Sequence, residues 1–250
     1  MEKELFIQTD NGKLSSTLDI KNNSLKTKTD LAILCHGFTG GRNKPLMRTI
    51  ANELSKRNIS SLRFDYMGYG NSYGTFQQMN IPDEIKDTIS VYDYVRSLSF
   101  VKNIYVIGHS QGSIVALMAF CDLPKNTIKK MILLSPAKVL KDDCLKGNVF
   151  GSKFDASNPP ESIELWDGRL LGRKYITTSQ QLDILAAAKK YKGETHLVYA
   201  MEDKVMPYSD IEELHKCLEN SSICVFEHAS HGFKEQLEEV AIYCADTLIM

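Results

Sequence analysis

The run Tyr105-Val106-Ile107-Gly108-His109-Ser110-Gln111-Gly112-Ser113-Ile114 constrains this chain most. An apolar run meets Gly-x-Ser-x-Gly, and a second apolar run begins directly after it. That order spells strand, sharp turn, helix. Gly108 and Gly112 leave space where a side chain would clash, so the turn can hold Ser110 in a strained conformation. Its hydroxyl then stands above a sheet edge, at the positive end of the following helix. A glycine-rich turn whose serine merely caps a helix has the same five residues. The remainder of the chain has to choose between them.

Strands and helices alternate through most of the 250 residues. Leu5–Ile7 and Leu14–Ile20 flank Asn11-Gly12, a hairpin signal. Residues 21–30 are polar and read as a loop. The continuous apolar run at 31–35 has the length and character of a strand covered on both faces, and 59–64, 104–107 and 128–134 read as further strands. Pro45–Arg57 and Pro82–Leu98 carry amphipathic stripes, and Asp83 and Glu84 suit the positive end of the second helix. Later units are helix 180–190, strand 195–200, helix 209–219, strand 223–227 and a last helix to the C-terminus. Repeated strand-then-helix units predict a mainly parallel sheet with helices on both faces, in one domain spanning 1–250. From Ala137 to about Thr178 the alternation lapses. Gly, Asn, Pro and charged residues cluster there around Trp166, the chain's one tryptophan. An irregular stretch of that length inside a compact domain predicts a lid or binding insertion.

Composition excludes several partner classes. Net charge is −1 with no basic block, so nucleic acid and anionic membranes have no electrostatic footprint here. The N-terminus is polar and lacks a signal-peptide core, and no apolar run nears a membrane span. Six cysteines are scattered without metal-ligand spacing, several of them in apolar runs. Buried thiols in a reducing cytoplasm are the expectation. The glycines of 65–74 lack the G-x-G-x-x-G spacing of a dinucleotide loop.

Three further features fall into register with Ser110. The strand ending at Cys35 breaks into His36-Gly37-Phe38-Thr39-Gly40-Gly41, a candidate oxyanion loop. The N–H of Phe38 and that of Gln111 are the expected donors. His36 is expected to brace that loop. Asp203 follows a strand in a turn closed by Pro207, and His231 follows the next strand. Ser, Asp, His is the order of an α/β-hydrolase. A serine hydroxyl needs a base to become nucleophilic, and a carboxylate holds the imidazole in the useful tautomer. Glu202 and His228 are the neighbours most easily confused with this pair. Asp203-x-x-x-Pro207 favours Asp203, and Gly232 opens the loop around His231.

The elbow 108–112, the loop 36–40 and Asp65-Tyr66-Met67-Gly68-Tyr69-Gly70-Asn71-Ser72 resemble those of bacterial cinnamoyl (feruloyl) esterases of the α/β-hydrolase fold. The insertion is the more specific match: Phe154-Asp155, Asn158-Pro159-Pro160-Glu161 and Trp166-Asp167-Gly168-Arg169-Leu170-Leu171-Gly172-Arg173-Lys174-Tyr175. The resemblance implies hydrolysis of hydroxycinnamate esters by Ser110, Asp203 and His231, without a cofactor or metal. It also implies lid contacts from Asp143 and Tyr175, with Trp166 as a pocket wall. Two departures stand out: Ala200 where the fold usually has Gly, and Phe150 where some relatives carry a polar lid residue. A lipase or monoacylglycerol hydrolase, and a serine peptidase, share the same machinery. A non-catalytic binding protein would typically lose the serine or the histidine. The expected partner is a small-molecule ester, with a homodimer as the assembly to test.

Overall fold

The computed structural model describes residues 1–20 and 28–250. Most of the loop expected at 21–30 lies outside the described residues. Strands β1 (Glu2–Gln8) and β2 (Lys13–Asp19) pair antiparallel across Asn11-Gly12. The alternation then begins: β3 (Thr29–Cys35), α1 (Pro45–Lys56), β4 (Ser60–Phe64), α2 (Ile81–Ser97), β5 (Val101–His109), α3 (Gln111–Phe120) and β6 (Met131–Leu134). The insertion contributes α4 (Leu140–Lys146), β7 (Asn148–Val149), β8 (Ser152–Lys153), β9 (Ser162–Glu164), β10 (Leu170–Gly172) and α5 (Arg173–Ser179). The alternation resumes with α6 (Ile184–Lys190), β11 (Thr195–Ala200), α7 (Tyr208–Cys217), β12 (Ser221–Phe226) and α8 (Leu237–Ile249).

The eight-stranded sheet runs β1-β2-β4-β3-β5-β6-β11-β12. Pairings from β4 through β12 are parallel, while β1 and β2 run antiparallel at one edge. This is the α/β-hydrolase fold. β5 lies at the centre, between β3 and β6. Its side chains alternate between two apolar cores. Ile104 and Val106 join the core that holds α3 and the insertion, whereas Tyr105 and Ile107 join the core beneath α1 and α8. Each such buried aliphatic side chain contributes about 1.5–3 kcal/mol. A strand anchored on both faces gives Ser110, one residue past its end, a fixed platform.

Two boundaries differ from the sequence expectation, each for a local reason. The helix predicted over 180–190 starts only at Ile184, because Asp183 caps it by accepting the Ala186 N–H at 3.1 Å. Gln180 instead donates to the carbonyls of Cys144 and Ala156, tying the chain after α5 to the insertion. The last helix starts at Leu237. Residues 228–236 form a loop held by Glu235, which accepts from the N–H and hydroxyl of Ser230. The insertion is ordered, as two small antiparallel hairpins and two short helices.

Candidate active site

Ser110 has φ 52° and ψ −121°, a conformation that L-residues rarely adopt. The two glycines permit it. A Cβ at Gly108 would lie 2.6 Å from Ser113 Cα, and one at Gly112 would lie 2.4 Å from the carbonyl oxygens of Cys35 and His36. The Ser110 N–H donates to Leu134 O at 2.8 Å, fastening the turn to β6.

Ser110, His231 and Asp203 form a hydrogen-bonded row. The Ser110 hydroxyl donates to His231 Nε2 at 2.9 Å, and His231 Nδ1–H donates to Asp203 Oδ2 at 2.7 Å. Asp203 Oδ1 accepts the N–H groups of Val205 and Met206 at 2.8 and 2.9 Å. Burial pushes this carboxyl up, but His231 and the two loop amides outweigh burial and hold it below its ordinary value. A permanent carboxylate behind Nδ1 leaves Nε2 as the lone pair facing the serine. Glu202 and His228, the near neighbours, are exposed and stand outside this row.

His109 was not an expected site residue. Its Nε2–H donates to the carbonyl oxygen of His231 at 2.9 Å, so it grips the histidine loop from below. Burial, followed by the neighbouring His231, lowers its pKa to about 4, so it works as a neutral donor. The residue between the first glycine and the serine carries no signal of this by spacing alone.

His36 braces the oxyanion loop as expected. Its Nδ1 bonds Gly37 O at 2.8 Å, and Nε2 accepts the Tyr66 N–H at 3.3 Å. One nitrogen donates and the other accepts, which fixes a neutral tautomer. Burial lowers its pKa in the same direction. Arg42 secures the far end of the loop. It is buried, and it reaches Asp65 Oδ2 at 3.0 Å, Glu4 Oε2 at 2.6 Å and Thr17 Oγ1 at 3.1 Å. Its own N–H donates to Asp65 Oδ1 at 2.7 Å. Among the described residues, the N–H groups of Phe38 and Gln111 meet no protein acceptor. For Gln111 this follows from its place at the first turn of α3.

The insertion closes over Phe38. The Phe150 ring stacks on Phe38 with centroids 4.9 Å apart and planes 14° apart, and Trp166 meets Phe150 edge-on at 5.2 Å. Tyr175 lies 5.6 Å from Phe38. Trp166 is 61% exposed, so it backs Phe150 and is not itself an inner wall. Asp143 is half-buried on α4, and burial raises its pKa. Tyr175 differs from the expected open polar contact. It is fully buried, and its hydroxyl donates to Gln111 Oε1 at 2.8 Å, because a buried phenol needs an acceptor. A cavity of about 420 Å³ borders Gly37, Phe38, His109 and Gly232, on the α1 side of the oxyanion loop. Among the described residues, no group of three or more His, Cys, Asp or Glu is placed to hold a metal ion, and no helix is long and apolar enough to cross a membrane. All six cysteines are free thiols.

A strained serine, a serine–imidazole–carboxylate row and a pair of backbone amides with no protein acceptor define, on this sheet, a hydrolase of the α/β-hydrolase fold. The chain belongs to the Hydrolase_4 family, described as serine aminopeptidase, S33, whose sequence profile it matches over residues 27–156. In structure it is similar to Est1E from Butyrivibrio proteoclasticus with ferulic acid bound, at 29% identity and a TM-score of 0.93, covering 98% of each chain. An uncharacterised 31.7 kDa protein of Escherichia coli, from the traX-finO intergenic region, is 25% identical, with 81% of this chain and 82% of that protein covered. A monoglyceride lipase homologue of monkeypox virus is 28% identical over 53% of this chain and 47% of its own length.

Proposed function

We propose that the chain is a serine carboxylesterase that cleaves hydroxycinnamate esters (feruloyl, p-coumaroyl or caffeoyl) through an acyl-enzyme. His231 Nε2 takes the Ser110 proton as Oγ attacks the ester carbonyl. The Phe38 and Gln111 amides receive the oxyanion, and Asp203 stabilises the imidazolium. His231 returns its proton to the departing alcohol. Water then attacks the acyl-serine with His231 again as base. Asp143 and Phe150, the latter backed by Trp166, would border the aromatic acyl group.

The observation that carries the substrate class is the likeness to Est1E with ferulic acid bound. It covers 98% of both chains, and so includes the insertion as well as the hydrolase motifs. The free thiols favour a reducing cytoplasm as the place of work. A second reading, hydrolysis of monoacylglycerols, is favoured by the viral relative and by the exposed apolar side chains of Leu145, Trp166 and Leu170 on the insertion.

The test is purified protein beside Ser110→Ala on methyl ferulate, p-nitrophenyl butyrate, a monoacylglycerol and an aminoacyl-naphthylamide. The expected result is cleavage of methyl ferulate that falls at least about 10³-fold in the variant. Ester cleavage indifferent to Ser110 would sink the mechanism. Cleavage of the aliphatic or lipid esters alone would remove the hydroxycinnamate class. Release of naphthylamine would move the chain to the peptidases.

A further inference from the structure

Gln111 is held at both ends of its side chain. Its Nε2 donates to Glu84 Oε2 at 2.7 Å, and its Oε1 accepts the Tyr175 hydroxyl at 2.8 Å. Three elements meet in this row: Glu84 from α2, Gln111 from the start of α3 and Tyr175 from α5 of the insertion. Glu84 is 0% exposed, and its Oε1 has no hydrogen-bond partner.

The surroundings of Glu84 are hostile to a charge. The titratable groups that face it are Cys35 at the end of β3, Tyr66 and Tyr69 from the loop after β4, Asp87 one turn on in α2, and Tyr175 from α5. None is a cation. An ionised carboxylate with one donor in such a site has lost its hydration without replacement. A place in the first turn of α2 offsets only part of that cost.

We propose that Glu84 is a positioning residue: as a neutral carboxylic acid it fixes the side chain of Gln111 against Tyr175, and so ties the insertion to the residue whose backbone N–H receives the oxyanion. The proposal rests on the reading of Ser110 as nucleophile and not on the hydroxycinnamate class. Burial pushes the Glu84 carboxyl up to about 8. Above that pH it releases its proton to solvent. The resulting uncompensated charge stands one side chain away from the forming oxyanion and opposes it.

The test follows the rate at which a fluorophosphonate labels Ser110 between about pH 6 and pH 10, with thermal unfolding recorded at each pH and also near pH 4. The probe reports on the nucleophile and the oxyanion amides whatever the natural ester is. For the unaltered protein, labelling is expected to fall about tenfold along an alkaline limb with its midpoint near the Glu84 value. Glu84→Gln keeps a neutral hydrogen-bonding group. It should lose that limb and label within about threefold of the unaltered protein at neutral pH. Glu84→Ala should label about tenfold more slowly throughout, since Gln111 Nε2 loses its acceptor.

Stability supplies a second readout with its own sign. The folded-state value lies above the unfolded one, so the ionised form weakens the fold. That weakening is absent below about pH 4, grows as pH rises between the two values, and is complete above the folded one. Glu84→Gln should therefore raise Tm at alkaline pH and leave it unchanged near pH 4. A residue that only fills space would not move the labelling limb. A Glu84→Gln limb that coincides with that of the unaltered protein overturns the proposal, even if Glu84→Ala fails to fold. Absence of Ser110 labelling at every pH overturns the nucleophile reading and the proposal together.

Discussion

The nucleophile turn and the insertion meet at Phe38, yet they are specified in opposite ways. The turn depends on residues that have no alternative. Gly108 and Gly112 face backbone atoms of Ser113, Cys35 and His36 at distances no Cβ tolerates, and Ser110 is held at a positive φ. The insertion has tight glycines of its own, since a Cβ at Gly147 would lie 2.2 Å from Phe154 O and one at Gly172 2.1 Å from Gln77 O, but its face over Phe38 is built from side chains that have alternatives. Its Gly151 has φ +90°, but a Cβ there would meet nothing within 4 Å. Its rings rest on one another and on Phe38, with Trp166 open to solvent. The nucleophile turn is fixed by backbone contacts that forbid change, whereas the rings over Phe38 are held by side-chain packing that permits it.

The largest effect that would sharpen the contrast is at the acid. Asp203→Asn should lower kcat by about 10³–10⁴-fold with methyl ferulate, because an amide can no longer hold His231 in the donating tautomer. It should leave KM within about threefold, since Asp203 does not face the acyl group. Acid stability should change as well. The Asp203 carboxyl is lowered by folding, so its contribution is present above its unfolded value and lost as pH falls through the folded one. Unfolding curves of the variant and the parent should therefore separate above about pH 4 and draw together as pH falls below it. Curves that stay parallel across that range would mean His231 gains nothing from this carboxylate.

Next comes the turn itself. Gly112→Ala places a methyl group 2.4 Å from two carbonyl oxygens of the oxyanion loop. Either the start of α3 or that loop must shift, at about 2–4 kcal/mol of stability and more than about a hundredfold in activity. A variant with unchanged Tm and unchanged rate would show that the loop yields, and the two regions would then be alike in tolerance.

The sequence made the turn legible for the same reason that it is rigid. Gly-x-Ser-x-Gly, His36-Gly37 and the order of Asp203 and His231 are local signals, read from residues that need particular backbone conformations or particular chemistry. The buried strands were equally legible, since an apolar run flanked by turns has few other readings. The supports of the site were not. Arg42, His109 and Glu84 act through partners between 20 and more than 120 positions away, and no spacing encodes those pairs. Glu84 in particular reads only as an acid that suits a helix start, whereas the fold buries it against Gln111. Tyr175 was legible as a member of the insertion, but not as a donor to Gln111, because that bond depends on where α5 lies over α3.

The smallest effects decide how far the insertion controls specificity. Phe150 covers Phe38 with nearly parallel rings, so a flat aromatic acyl group has to pack against it or displace it. Phe150→Ala should raise KM for methyl ferulate about fivefold to tenfold, in keeping with one aromatic contact, and leave p-nitrophenyl acetate nearly unaffected. Trp166→Ala removes a largely exposed ring that touches the site through Phe150. Its effect on KM should be about twofold, with stability altered by less than about 0.5 kcal/mol. The ranking carries more weight than either value. If Trp166→Ala costs more than Phe150→Ala on the aromatic ester alone, the insertion must rearrange on binding to bring the tryptophan inward. Equal losses on aromatic and aliphatic esters would instead assign both rings to holding the insertion in place, and specificity would have to come from elsewhere, with Asp143 the first residue to replace.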